Sequence, residues 1–188
     1  MSIYQRVLTT LSFLTFSFIT LPTLAADFVL TSQDIKADQQ MSQLFEFNGF
    51  GCSGQDLSPH LAWKNAPKGT KSFAITVYDP DAPTGSGWWH WQVVNIPNDV
   101  HELAQGVGEV KSDSMPQGSQ QITNDYGSKA FGGACPPKGH GLHRYQFTVH
   151  ALKVEKLELP ANASGALTGY MINANAIASA TLEALYQR

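Results

Sequence analysis

Ser72-Phe73-Ala74-Ile75-Thr76-Val77-Tyr78-Asp79-Pro80-Asp81-Ala82-Pro83, followed by Trp88-Trp89-His90-Trp91-Gln92-Val93-Val94-Asn95-Ile96, is where the reading of the chain begins. Phe73, Ile75 and Val77 fall on one face, and Ser72, Ala74, Thr76 and Tyr78 on the other. That period of two is the signature of a strand with one buried face. Pro80, Pro83, Gly85 and Gly87 end it, because proline has no amide hydrogen to give to a ladder and glycine favours turns. Trp88 to Ile96 is aromatic and β-branched and reads as a buried central strand, closed by Pro97-Asn98-Asp99. A hairpin-like return between the two strands brings Asp79 or Asp81 beside His90.

Outward from this pair, Arg144 to Ala151 alternates in the same way. Tyr145, Phe147, Val149 and Ala151 share one face, and Arg144, Gln146, Thr148 and His150 the other. Phe28 to Leu30 and Leu44 to Phe47 are shorter strand candidates, and Gly49 to Pro59 is a loop. Gln105 to Gly133 is polar, glycine-dotted and without a sustained period, so it reads as long loops with a short strand. From Ser164 onward the sequence is alanine-rich and free of proline, with Ile177, Ala180, Thr181, Ala184 and Leu185 at helical spacing. The expectation is a mainly β chain with a helical C-terminus, without internal repeats or a domain linker.

The 188 residues carry 12 Lys+Arg against 15 Asp+Glu, a formal charge of −3. That balance argues against a nucleic-acid surface, which needs a local excess of cations to neutralise phosphates. With 43% hydrophobic and 14% charged residues, the chain has enough apolar surface to fold and too little charge to stay open. Residues 1–25 read as a secretory signal peptide: Arg6, an uncharged run from Val7 to Leu21, Pro22, and small residues Thr23 and Ala25 before the cut. The run is short for a bilayer span of about 20 residues, so the protein is not expected to be integral to a membrane. Residues 26–188 then form a single domain that is periplasmic or secreted. In that compartment the two cysteines, Cys52 and Cys135, are expected to form a disulfide. It would pin the glycine-rich loop to a proline-rich one.

Several motifs lead nowhere. His101-Glu102-Leu103-Ala104-Gln105 starts like a zinc-protease helix but has glutamine where the second histidine is needed. Gly51-Cys52-Ser53-Gly54 is one residue short of a nucleophile elbow. Asn162-Ala163-Ser164 is a glycosylation sequon by letters alone. Cys135, His140 and His143, with Asp79 or Asp81, have spacing that can serve zinc, but a disulfide at Cys135 removes the thiolate. No metal and no cofactor are expected.

What remains is two segments. In the first, Asp79 and Asp81 flank a proline at a strand end, and His90 opens the next strand among three tryptophans. Taken alone, this reads sooner as a shaped turn beside an aromatic core, with His90 a satisfied buried histidine. The second is Cys135-Pro136-Pro137-Lys138-Gly139-His140-Gly141-Leu142-His143-Arg144-Tyr145. Its proline pair makes a stiff rim. His143 and Tyr145 lie on one face and can donate to an oxyanion, and Arg144 on the other can pair with an acid.

Together the two segments resemble the phosphatidylethanolamine-binding proteins, also called Raf-kinase-inhibitor-like proteins, and among them the bacterial YbhB/YbcL type. The likeness rests on Asp79 to Pro83, Trp88 to Asn95 and Pro136 to Tyr145, with support from Asp56-Leu57-Ser58-Pro59, Trp63 and Gly165-Ala166-Leu167. It implies two antiparallel sheets packed as a β-sandwich with C-terminal helices. It also implies a small pocket for phosphate, acetate or a phospholipid headgroup such as phosphoethanolamine. Residue by residue, the lining would be Asp79, Asp81, Pro83, His90, Pro136, His143 and Tyr145. A cis peptide at Ala82–Pro83 is part of the family pattern. Cys135 stands where animal relatives have glycine, and the chain ends soon after Tyr186, which implies a shortened or absent terminal helix over the pocket.

Two carboxylates within about 4–6 Å of an anion would repel it, so the site needs compensation. The expectation is that Asp81 orients a histidine and the loop, that Asp79, His90 and Tyr145 touch the ligand, and that protonated His90 and His143 supply charge. Free histidine titrates near about 6.5, so binding should be tighter at pH 5.5 than at pH 8. The function expected is ligand or partner binding without catalysis, the partner lying in the envelope or outside the cell. Protease inhibition and an Asp/His acid–base hydrolase are the alternatives, the latter lacking an activated nucleophile.

Overall fold

A computed structural model describes residues 26–188 except Lys111; the signal peptide read at residues 1–25 lies outside the described residues. In chain order the strands are β1 (Val29–Thr31), β2 (Asn48–Gly49), β3 (Cys52–Ser53), β4 (Leu61–Lys64), β5 (Ser72–Asp79) and β6 (Trp88–Pro97). They continue with β7 (Glu102–Leu103), β8 (Gln120–Gln121), β9 (His143–Leu152) and β10 (Ala176–Tyr186), with helix α1 (Gly165–Asn175) before the last. Five of them pair antiparallel in the order β10-β9-β5-β6-β8, and three more in the order β1-β4-β7. The two faces of β5 and β9 divide as their alternation requires.

The inner face meets the three-stranded sheet. Phe73, Ile75, Val77, Trp91, Phe147, Val149 and Ala151 pack there with Leu30, Leu61, Trp63 and Leu103. Each large side chain buried in this layer contributes about 1.5–3 kcal/mol. On the outer face a smaller core gathers Ala74, Val94, Ile122, Leu152, Leu157 and Ile172, under α1 and the segment before it. This is the mainly β, sheet-on-sheet architecture that the sequence points to.

Three local expectations are corrected. Residues 176–186 form an 11-residue strand along β9, not a helix, so the C-terminal region holds a single helix. The helical spacing of Ile177, Ala180 and Ala184 gave way to a period of two: Ala178, Ala180, Leu182, Ala184 and Tyr186 are the less exposed positions. The helix ends because Lys153 intercepts it, its amide donating to Asn175 O at 3.0 Å and its Nζ to Ala174 O at 2.9 Å. Those bonds satisfy carbonyls left free at a helix end and turn the chain onto the sheet. Leu44 to Phe47 is not a strand; Gln43–Phe45 is a 3-10 turn capped by the Ser42 hydroxyl. The Ala82–Pro83 bond is trans, and the chain reverses there through a tight turn in which Thr84 N donates to Ala82 O at 2.7 Å.

At the start of α1, Ser164 Oγ accepts from Leu167 N at 3.2 Å. The residue after it must be small: a Cβ on Gly165 would stand 2.5 Å from Trp89 Cδ1. The helix therefore rides directly on the strand that carries His90.

Candidate functional site

β5 and β9 bring their ends together at one edge of the inner layer. Asp79 closes the inner face of β5, and His143 and Tyr145 open that of β9. All three are buried. His143 Nδ1 donates to Asp79 Oδ2 at 2.8 Å, and Asp81 N donates to Asp79 Oδ1 at 2.8 Å. Both carboxylate oxygens are thus engaged, one by an imidazole and one by the turn it caps. His143 Nε2 lies 2.7 Å from Nδ1 of the exposed His140, so an Asp79–His143–His140 chain runs from the interior to the surface.

His90 reaches the same place through an irregularity. Trp91 pairs with Val77 but Trp89 pairs with Tyr78, so His90 is the extra residue of a β-bulge. A bulge re-aims a side chain. Consecutive residues His90 and Trp91 are accordingly both buried on the inner side, where regular alternation would have sent one outward. The His90 ring stands 5.1 Å from that of Tyr145, edge to face. Its Nδ1 donates to the carbonyls of Gly132 and Gly133 at 2.8 and 3.1 Å. Those glycines are held in turn: Gly133 N donates to Asp56 Oδ1 at 2.6 Å, and Tyr126 Oη to Gly133 O at 3.0 Å. Burial holds His90 below its ordinary value, with the Gly132 carbonyl and the Asp79 charge pulling the other way. Burial, with Asp79 nearby, pushes the Tyr145 phenol up, so its proton stays on.

These groups line a cavity of about 200 Å³, smaller than the roughly 300–1,000 Å³ of pockets that take drug-sized ligands. Asp79, Pro83, His90, Pro136, His143 and Tyr145 all face it. Of the seven residues expected at the site, only Asp81 is not in the lining. It turns to the outer face, where Arg144 Nε and Nη2 hold its two oxygens at 2.9 and 2.8 Å and Arg144 N donates as well at 2.9 Å. The guanidinium holds the Asp81 carboxyl below the usual carboxylate range. Asp81 therefore orients the arginine and the loop rather than a histidine, and only one of the two carboxylates faces the cavity. The depressed basicity of His90 likewise removes it as a source of positive charge.

Phe50, Trp88 and Tyr126 complete the mouth. Tyr126 stacks on Phe47 at 3.9 Å and meets Trp88 at 5.2 Å. The sequence reading missed Tyr126 because it lies in the stretch without period, and took Trp88 for core. The expected Cys52–Cys135 disulfide is formed, joining the β2–β3 hairpin to the proline rim. Arg188 ties the same two loops, Nε to Pro136 O at 2.8 Å and Nη1 to Gly51 O at 2.6 Å.

Three buried polar atoms in lining residues have no protein partner: Trp88 Nε1, His90 Nε2 and Tyr145 Oη. Buried polar atoms are normally paired. Three orphans around one cavity mark a place that a polar guest completes. Among the described residues no cluster of three metal-ligating side chains occurs.

Comparison with known proteins agrees with this geometry. Residues 31–187 match the family described as Phosphatidylethanolamine-binding protein. The chain belongs to that family. It is 53% identical to YbcL of Escherichia coli K12 over 181 residues, which is 96% of each chain. YbhB of the same organism is 48% identical over 157 residues, 84% of this chain and 98% of YbhB. The crystal structure of E. coli YbcL superposes with a TM-score of 0.85 at 54% identity, covering 87% of this chain and 99% of that one. The family thus accounts for the sandwich.

Proposed function

We propose that the protein binds a small anion, such as phosphate or the phosphate of a headgroup, and acts by binding rather than by catalysis. The observation that carries the reading is the ring of orphaned polar atoms, with two donors, Trp88 Nε1 and Tyr145 Oη, around a cavity of about 200 Å³. An anion accepts from both donors and satisfies groups that burial would otherwise leave unpaired at a cost of about 1–3 kcal/mol each. The turn of Asp81 onto Arg144 supports it, because it halves the negative charge facing the guest. The positive charge an anion needs is supplied by the His140–His143 pair, whose rings meet at 2.7 Å between Nδ1 and Nε2.

Binding without turnover is supported by the state of the thiol and the aliphatic hydroxyl of the lining. Cys135 Sγ is in the disulfide, and Thr84 Oγ1 donates to Gly87 O at 2.6 Å. Neither is available to attack a substrate. Export to the periplasm or beyond is part of the proposal. It rests on the leader-like residues 1–25 and on the disulfide. The alignment with YbcL covers 96% of this chain and so reaches into the leader, whereas YbhB aligns almost its full length with only 84%. Any protein partner is then an envelope or extracellular one. No helix among the described residues is long and apolar enough to cross a membrane.

Calorimetric titration of residues 26–188 with inorganic phosphate and with phosphoethanolamine tests the reading. Saturable binding is expected, tighter at pH 5.5 than at pH 8 and weakened several-fold in Tyr145→Phe. Turnover of ester, phosphate-ester or peptide substrates that disappears in His90→Ala would replace this reading with the hydrolase.

A further inference from the structure

His90 is a lining group whose hydrogen-bond sense is fixed by its other side and whose second ring nitrogen is left without a protein partner. Gly132 O and Gly133 O can only accept, so Nδ1 carries the hydrogen. In the neutral ring Nε2 then offers a lone pair, and it is buried, unpartnered and in the lining. The charged and titratable groups around this ring are Asp79, Asp125, Tyr126 and Tyr145. Tyr126 spends its hydroxyl hydrogen on Gly133 O, and Asp125 accepts from Trp89 N at 2.7 Å. None of these bonds gives Nε2 a hydrogen. Asp79 adds a second group that only accepts. The guest therefore meets donors from Trp88 and Tyr145 on some of its atoms and an acceptor on another.

The geometry points to a guest that is itself a hydrogen-bond donor: the site selects an oxyanion that retains an acidic hydrogen, a monohydrogen phosphate or phosphomonoester monoanion, over an equally shaped anion without one. Sulfate matches phosphate in size and tetrahedral form but carries no hydrogen at neutral pH, so its oxygen would face the His90 lone pair and the Asp79 carboxylate unshielded. A phosphate hydroxyl directed at His90 Nε2 turns that repulsion into a hydrogen bond. A phosphodiester, with no hydroxyl on phosphorus, meets the same obstacle as sulfate. This inference rests on the anion-binding reading above and adds the protonation state of the ligand to it.

The test is calorimetric titration of residues 26–188 at pH 7 with inorganic phosphate, sulfate and dimethyl phosphate. Phosphate is expected to bind at least about tenfold more tightly than the other two, the equivalent of one buried hydrogen bond gained in place of a repelled lone pair. In Asp79→Asn, which replaces one acceptor by an amide, the preference for phosphate over sulfate should narrow. Sulfate or dimethyl phosphate binding within about threefold of phosphate overturns the selectivity and leaves anion binding standing. Failure of phosphate to bind the wild-type chain overturns both. The wild-type comparison decides the matter whether or not the variant folds.

Discussion

His150 sits on the outer face of the five-stranded sheet, its Nε2 3.1 Å from Thr76 Oγ1. Burial there lowers its pKa to about 4. In the unfolded chain the same ring titrates near about 6.5. Between those values the unfolded chain holds a proton that the folded chain refuses, so stability falls as pH drops from about 6.5 to about 4, then levels off. The loss is on the order of 2–3 kcal/mol. Burial of His90 acts in the same direction. The Asp81–Arg144 pair is lost only in a lower window, below the ordinary carboxylate range, because Asp81 is depressed. Urea midpoints at pH 7 and pH 4.5 should therefore differ markedly in the wild type and less in His150→Gln; equal differences would remove His150 as the cause. Residues of this kind also show how far the sequence could be read. Alternation placed Tyr145 on the inner face and Arg144 on the outer one. The likeness to the family named six residues that line the cavity. The opposite fates of Asp79 and Asp81 depend on which side of the turn each carboxylate leaves, and no spacing rule expresses that. The bulge that swings His90 inward is equally silent, because it is a property of strand pairing rather than of either strand alone.

The β2–β3 hairpin joins local structure to the cavity. Gly49 pairs with Cys52, which leaves Phe50 and Gly51 as a two-residue turn with φ of 51° and 80°. Two positive values make a type I′ turn, whose preferred first residue is asparagine or aspartate. An aromatic side chain held left-handed costs roughly 1–2 kcal/mol. Phe50 is 74% exposed, so burial does not offset that cost. Its ring stacks on those of Phe47 and Tyr126, both at 5.7 Å, and it lines the mouth. Phe50→Asn is expected to stabilise the fold slightly, by up to about 1 kcal/mol, while weakening phosphate binding. Thermal denaturation and calorimetry on the same sample separate the two effects; a destabilised variant with intact affinity would show that the phenylalanine is there for the hairpin. Turn chemistry of this sort is invisible without the register. So was β10: alanine is neutral between helix and strand in pattern reading, and only pairing with β9 decided between two periods that Ala180 and Ala184 both satisfy.

At the scale of the molecule, long alternating strands made most of the five-stranded sheet legible, whereas of the three-stranded sheet only β1 was read, at Phe28 to Leu30, since β1, β4 and β7 contribute only 3, 4 and 2 residues. Strands that short carry no period; their place is set by Trp63, Leu61 and Leu103 packing against the larger sheet. The disulfide was legible from the cysteine count and the leader-like start of the sequence, and its place explains more than stability. It spans 83 residues of sequence, so by chain entropy it contributes roughly 4 kcal/mol. It also fixes the distance across the mouth, because Phe50 stands beside one end and Pro136 and Pro137 follow the other. Replacing both cysteines by serine should lower stability in urea by about 2–5 kcal/mol. Under native conditions the folded protein should bind phosphate several-fold less tightly, since the rim is then held across the gap by Arg188 at Gly51 O and Pro136 O. Adding Arg188→Ala to the double replacement should deepen the loss of affinity beyond the effect of Arg188→Ala in the disulfide-bonded chain. The two ties share one task, so their effects should not add. Strictly additive losses would mean that the bridge and the arginine hold the rim independently, and an unchanged affinity without the disulfide would mean that the sheet edge alone shapes the cavity.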